Sequence, residues 1–134
     1  MFSAVAEQVG LDYQAAVKIS AGFGGGMMLG SVCGAVTGGI MAIGLKRGGV
    51  GTQSGMATGK IVREFTDRFK AQHKAVNCAE LTGFDIGKVD VTKPEAVADA
   101  YKSALAKNQF AACTGYVRDA TKIVTELLNV PLKA

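Results

Sequence analysis

The uncharged stretch Ile19–Leu45, ISAGFGGGMMLGSVCGAVTGGIMAIGL, decides how this chain folds. As a helix it is long enough to cross a bilayer, and Lys46 and Arg47 follow it as they would on a cytoplasmic side. Its nine glycines and few large aliphatic side chains make transfer into lipid unfavourable, however. Gly24–Gly26 also predicts a loop that divides the stretch into pieces too short to span. We therefore predict a Gly-rich helix buried inside the protein and no membrane span.

Length and composition predict one domain, residues 1–134, because 49% of the 134 residues are hydrophobic. The net charge of +4 is too small an excess to favour nucleic acid as a partner. Residues 1–59 hold 15 of the 18 glycines and only five charges, whereas the rest of the chain reads as amphipathic helices. The first eleven residues lack the basic start of a signal peptide, so we expect a cytoplasmic protein.

The periodicity of apolar residues predicts an all-α fold, a compact helical domain of about five to six helices around the Gly-rich one. Gly10 should end a first helix, and Asp12 should cap a second that runs to about Ser20. Further helices are expected at about 31–45, 58–76, 94–107 and 110–128, with a short helical turn after Asn77.

Three local signals refine these boundaries. Residues 46–57 should be a flexible loop, after which Thr58 is a candidate cap for the next helix. Thr92 and Glu95 have the spacing of a capping box around Pro94. Gly87–Val91 is the only stretch that suggests a strand.

Three cysteines are the residues best suited to carry chemistry. Cys33 lies among small residues, and Cys113 lies on the apolar face of the last predicted helix. Cys78 begins a helix, where free N–H groups and nearby Lys74 should favour its thiolate. The alternative is that each cysteine is simply buried, as free cysteines commonly are.

His73 is the only histidine, and it precedes Cys78 by five residues. It is a candidate metal ligand. The alternative is a place on the solvated face of its helix, because its neighbours are polar.

Taken together, the motifs resemble the redox-active protein family named for its C…GCAxxG…C…C cysteine pattern. The matching elements follow one another in order along nearly the whole chain: Ala21–Met27 (AGFGGGM), Cys33–Gly39 (CGAVTGG), Gly44–Lys46, Val62–Phe69, Asn77–Gly83 (NCAELTG), Cys113 and Val117–Ala120. The motif here reads Cys-Gly-Ala in place of Gly-Cys-Ala, and the family's first cysteine, on the N-terminal helix, is absent from a chain that starts Met1-Phe2-Ser3.

The resemblance implies that Cys33, Cys78 and Cys113 work together in redox chemistry or hold an iron–sulfur cluster or another metal. Gly34 and Gly38 would then allow close approach of such a group beside Cys33. Because four thiolates are the usual shell, a fourth ligand would have to come from water, His73, a preceding segment or a dimer partner.

Three functional hypotheses follow. The first is electron transfer through an iron–sulfur or other metal centre, to a partner the sequence does not identify. The second is a metal-free dithiol–disulfide oxidoreductase. The third is a structural module with inert cysteines, in which the glycines that recur every four residues from Gly22 to Gly38 pack against a second copy of the chain. A homodimer is expected under each of the three hypotheses. For either redox function, the three cysteines should converge in one pocket.

Overall fold

The computed structural model describes residues 1–131, which are almost entirely helical. Within that range there is no β-strand, only an isolated antiparallel bridge between Val32 and Asn77. The all-α prediction is confirmed, although the structure has seven α-helices where five to six were expected; one is a five-residue turn. The helices are α1 (Phe2–Val9), α2 (Tyr13–Ser20), α3 (Gly34–Arg47), α4 (Thr52–His73), α5 (Cys78–Thr82), α6 (Pro94–Ala106) and α7 (Cys113–Leu128).

The Gly-rich helix α3 lies at the centre and packs against α1, α4 and α7. Its buried positions are mostly small, which lets neighbouring helices come close: Ala35, Val36, Gly38, Gly39, Ala42 and Ile43. A Cβ added to Gly38 would lie 2.8 Å from the backbone nitrogen of Phe2 in α1. The prediction of a buried Gly-rich helix is confirmed, and contact with another backbone explains Gly38.

The main core is formed where α4 and α7 cover α3. Phe65 and Phe69, one turn apart on α4, are fully buried, as is Val124 on α7. Burial of such side chains stabilises the fold by roughly 1.5–3 kcal/mol each. This core fixes the position of α3, and with it that of Cys33 directly before the helix.

A left-handed turn connects α2 to α3 and confirms that the Gly-rich run is interrupted. Gly25 and Gly26 have φ of 61° and 65°, and Met27 and Met28 continue with φ of 62° and 57°. For a residue with a side chain this conformation costs about 1–2 kcal/mol. Gly30, also left-handed, has no room for a Cβ, which would collide with Asp85 Oδ1 and lie 3.2 Å from the Ala79 Cβ. The turn therefore packs tightly against α5.

A second, smaller apolar cluster lies beside the main core. Phe84, Ile86 and Ala104 are buried there, with Tyr101 and Phe110 packed against them. Ala104 and Tyr101 belong to α6, so this cluster attaches α6 to the segment that follows α5.

Several helix boundaries differ from the predictions. The loop expected at 46–57 is much shorter, because α4 begins at Thr52 after Gly51, whose φ is 96°. Thr58 is thus inside α4 and donates to the Arg47 carbonyl at 3.2 Å instead of capping a helix. At the first two helices the predictions are confirmed: Gly10 ends α1 with φ of 95°, and Asp12 accepts from the Ala15 N–H.

Two predictions in the second half of the chain were wrong. Lys93, not Thr92, precedes α6, because the Thr92 hydroxyl donates to Asp90 at 2.6 Å and is not available to cap. The strand suggested at 87–91 is absent, since Ile86–Lys88 form a helical turn capped by the Asp85 side chain.

No helix among residues 1–131 combines the length and the apolar character that crossing a membrane requires.

Candidate functional site

A short backbone pairing holds Cys33 and Cys78 close together. Around the Val32–Asn77 bridge, the Cys33 N–H donates to the Val76 carbonyl at 2.8 Å and the Cys78 N–H donates to the Ser31 carbonyl at 2.7 Å. The two cysteines are therefore diagonal neighbours on one face of the bridge, and such neighbours typically lie about 7–8 Å apart. The usual Cα separation in a disulfide is shorter, about 4.4–6.8 Å, and both cysteines are free in this structure.

Cys78 and Cys113 face one cavity of about 260 Å³. Each is the first residue of its helix, α5 and α7 respectively, and each is partly exposed. Cys33 is buried in the main core at 9% exposure. The cavity is lined by Gly25, Cys78, Thr82, Phe84, Tyr101, Leu105, Phe110 and Cys113. A molecule entering it would reach two of the three thiols.

Burial and neighbouring thiolate charge raise the pKa of the two cysteines that face the cavity. Burial raises the pKa of Cys78, and negative charge on Cys33 and on Cys113 raises it further. Burial and the charge of Cys33 likewise raise the pKa of Cys113. Both shifts disfavour the thiolate forms of Cys78 and Cys113. Cys33 is not among the residues that line the cavity, so the expected convergence of all three cysteines in one pocket is met by Cys78 and Cys113 only.

The expectation that Cys78 would be a stabilised thiolate was therefore wrong. Helix α5 has only five residues, and its N-terminus does not outweigh burial and the neighbouring thiols. The Thr82 side chain acts in the opposite direction and lowers the pKa of Cys78, although burial outweighs it. Thr82 is one helical turn after Cys78, and its hydroxyl donates to the Cys78 carbonyl at 2.7 Å.

His73 has aromatic and acidic neighbours. Its ring lies 4.6 Å from that of Phe69 and 4.9 Å from that of Tyr116. Its Nε2 is 3.2 Å from Asp119 Oδ2 but outside hydrogen-bond geometry. The side chain is only 15% exposed, so the solvated position considered from the sequence was wrong.

The side chains do not assemble a metal shell. Among residues 1–131, no group of three or more His, Cys, Asp or Glu residues could hold a metal ion. The chain has three cysteines, one fewer than the four thiolates of an ordinary iron–sulfur site. The donor set seen here thus does not fit an iron–sulfur cluster held by this chain alone.

Gly34 and Gly38, expected beside a cofactor, face protein atoms. A Cβ on Gly34 would lie 3.4 Å from the Phe23 carbonyl oxygen, and Gly38 faces the start of α1. Both glycines also line a cavity of about 200 Å³, separate from the one that Cys78 and Cys113 face, so their role beside a cofactor stays a prediction.

The aromatic residues of the cavity are the part of the site that the sequence did not predict. Phe84, Tyr101 and Phe110 come from three segments without a shared motif. Thr82 could have been predicted as a neighbour of Cys78, because residues four positions apart lie on one face of a helical turn.

Comparison with known proteins adds one finding to this geometry. A family described as "Putative redox-active protein (C_GCAxxG_C_C)" matches residues 1–127. No curated protein and no solved structure matches the chain significantly. Since the match covers nearly all of the chain and includes its three cysteines, the protein belongs to the C_GCAxxG_C_C family.

Proposed function

We propose that this protein is a thiol–disulfide redox protein in which Cys78 and Cys113 form the exchanging pair. The observation that carries the proposal is that these two thiols, and not Cys33, face the same solvent-accessible cavity. Membership of a redox-active family supports thiol chemistry. Cys33 is buried in the main core, and its charge contributes to the raised pKa of both.

The exchange proceeds in two displacement steps. The Cys78 thiolate, favoured by the Thr82 hydroxyl, attacks one sulfur of a substrate disulfide. The substrate S–S bond breaks, and the departing sulfur leaves with the electron pair and takes up a proton. The Cys113 thiolate then attacks Cys78 Sγ, which releases the second substrate thiol. Overall the substrate gains two electrons and two protons, and the protein holds a Cys78–Cys113 disulfide.

The other expectations remain predictions. An iron–sulfur or other metal centre would need ligands that the described residues do not gather, with His73 or a second chain as sources. A homodimer, a cytoplasmic location and an electron-transfer partner are likewise predicted from the sequence alone.

The test is disulfide trapping. Anaerobically reduced protein is mixed with oxidised glutathione and quenched, and its disulfides are mapped by mass spectrometry. We expect wild type and Cys33→Ser to form the Cys78–Cys113 disulfide. Cys113→Ser should accumulate glutathione on Cys78, because the second displacement is blocked.

Two outcomes would overturn the proposal. One is the absence of an internal disulfide at any glutathione ratio. The other is iron and acid-labile sulfide in protein purified without air, both lost when Cys78 is replaced.

A further inference from the structure

The cavity that Cys78 and Cys113 face has an aromatic, uncharged lining, which thiol exchange alone does not require. We propose that it binds an uncharged compound with a planar ring, and that a quinone of this kind is the oxidant of the dithiol. This inference rests on the proposed thiol redox function and adds its substrate class.

Aromatic side chains line the same cavity as the thiols. The Phe84 and Phe110 rings meet edge to face, with centroids 5.3 Å apart, and Tyr101 lies 5.1 Å from Phe84. Rings held at such angles leave ring faces and edges against which another ring can pack. Three aromatic residues within one small cavity favour a flat ligand over an aliphatic chain.

Charge also selects the ligand. The residues that line the cavity carry no Lys, Arg, Asp or Glu. Burying an ion there without a partner would be costly, and thiolates on Cys78 and Cys113 would repel an anion. Uncharged molecules are therefore preferred.

The size and position of the cavity fit one or two fused rings. Its volume of about 260 Å³ is slightly below that of pockets that hold drug-sized ligands. Leu105, 66% exposed, lies at its edge on α6. A ring held against Phe84 and Tyr101 would share the cavity with both thiols.

A quinone balances the electrons of the dithiol. When Cys78 and Cys113 form a disulfide, two S–H bonds break, one S–S bond forms, and two electrons and two protons are released. An uncharged quinone takes up the same two electrons and two protons, and its two carbonyl oxygens become hydroxyls. The product hydroquinone is uncharged too, so no ion is left in the cavity.

Binding is tested first, separately from redox chemistry. Indole, an uncharged planar ring that does not oxidise thiols, is titrated into the Cys78→Ser/Cys113→Ser variant and followed by NMR of the aromatic side chains. We expect saturable shifts for Phe84 and Phe110, and none with the anion indoleacetate. Tyr101→Leu should weaken binding about threefold to tenfold, whereas Tyr13→Leu, on exposed α2, should leave it unchanged.

The redox arm uses duroquinone, whose fully substituted ring resists addition of thiols. Reduced wild type should yield one hydroquinone per Cys78–Cys113 disulfide, at a rate that Tyr101→Leu lowers and Tyr13→Leu does not. Absence of saturable indole binding would overturn the inference even if glutathione forms the disulfide. Absence of the disulfide with every oxidant would instead overturn the proposed function.

Discussion

Replacing Gly39 by alanine should destabilise the fold, although alanine is the better helix former. A Cβ at this position would lie 2.6 Å from Phe65 Cε1 and 3.0 Å from Cε2. Phe65 is fully buried and has no free direction in which to move. Overpacking of this kind costs about 1–3 kcal/mol, and so close a contact with a ring belongs at the upper end. Alanine regains about 1 kcal/mol of helix propensity, which leaves a net loss of about 2 kcal/mol.

Gly44→Ala, in the same helix, is the matched control. A Cβ there meets no atom within 4 Å outside its own helix, so this variant should gain about 1 kcal/mol. Urea unfolding followed by circular dichroism would measure both changes. In Gly39→Ala, the further change Phe65→Leu should cost less than it does alone, because the smaller side chain makes room. Equal stability of Gly39→Ala and Gly44→Ala would refute the packing argument.

Three further predictions concern the site and the turn before it. Cys33→Ser should lower the pKa of Cys78 and Cys113, so that their alkylation by iodoacetamide begins at lower pH than in wild type; unchanged pH profiles would contradict the placement of Cys33. Thr82→Val should raise the pKa of Cys78 and cost about 1–3 kcal/mol in urea unfolding, because a buried backbone N–H loses its acceptor; Thr82→Ser should preserve both properties. Met28→Gly should stabilise the fold by up to about 1 kcal/mol by relieving its left-handed φ, and a lower unfolding midpoint would show that the side chain contributes more than its strain costs.

Local signals in the sequence predicted much of the helical framework. Asp12 caps α2 and Gly10 ends α1, because both effects act within one turn of the chain. The Gly-rich run forms a left-handed turn followed by a buried helix, as its glycine triplet and its lack of charge indicated. The predicted cap of α6 was wrong because two hydrogen bonds were open to Thr92. Its hydroxyl donates to Asp90 and does not cap the helix.

The site was less predictable because distant segments build it. Val32 and Asn77 pair across more than forty residues, and that pairing sets the relative position of Cys33 and Cys78. Burial, which raises the pKa of Cys78, depends on what covers the thiol, and no spacing in the sequence reveals that. Tyr101 joins the cavity only because α6 packs against Phe84 and Phe110. No spacing or motif in the sequence connects Tyr101 with the cysteines.

The most direct test of the proposed redox pair is a redox titration of the wild-type protein with a thiol count at each potential. Cys78 and Cys113 should be lost together in a single two-electron step, while Cys33 stays reduced until the protein is unfolded. Independent loss of the three thiols, or a first disulfide that contains Cys33, would contradict the assignment of Cys78 and Cys113 as the exchanging pair.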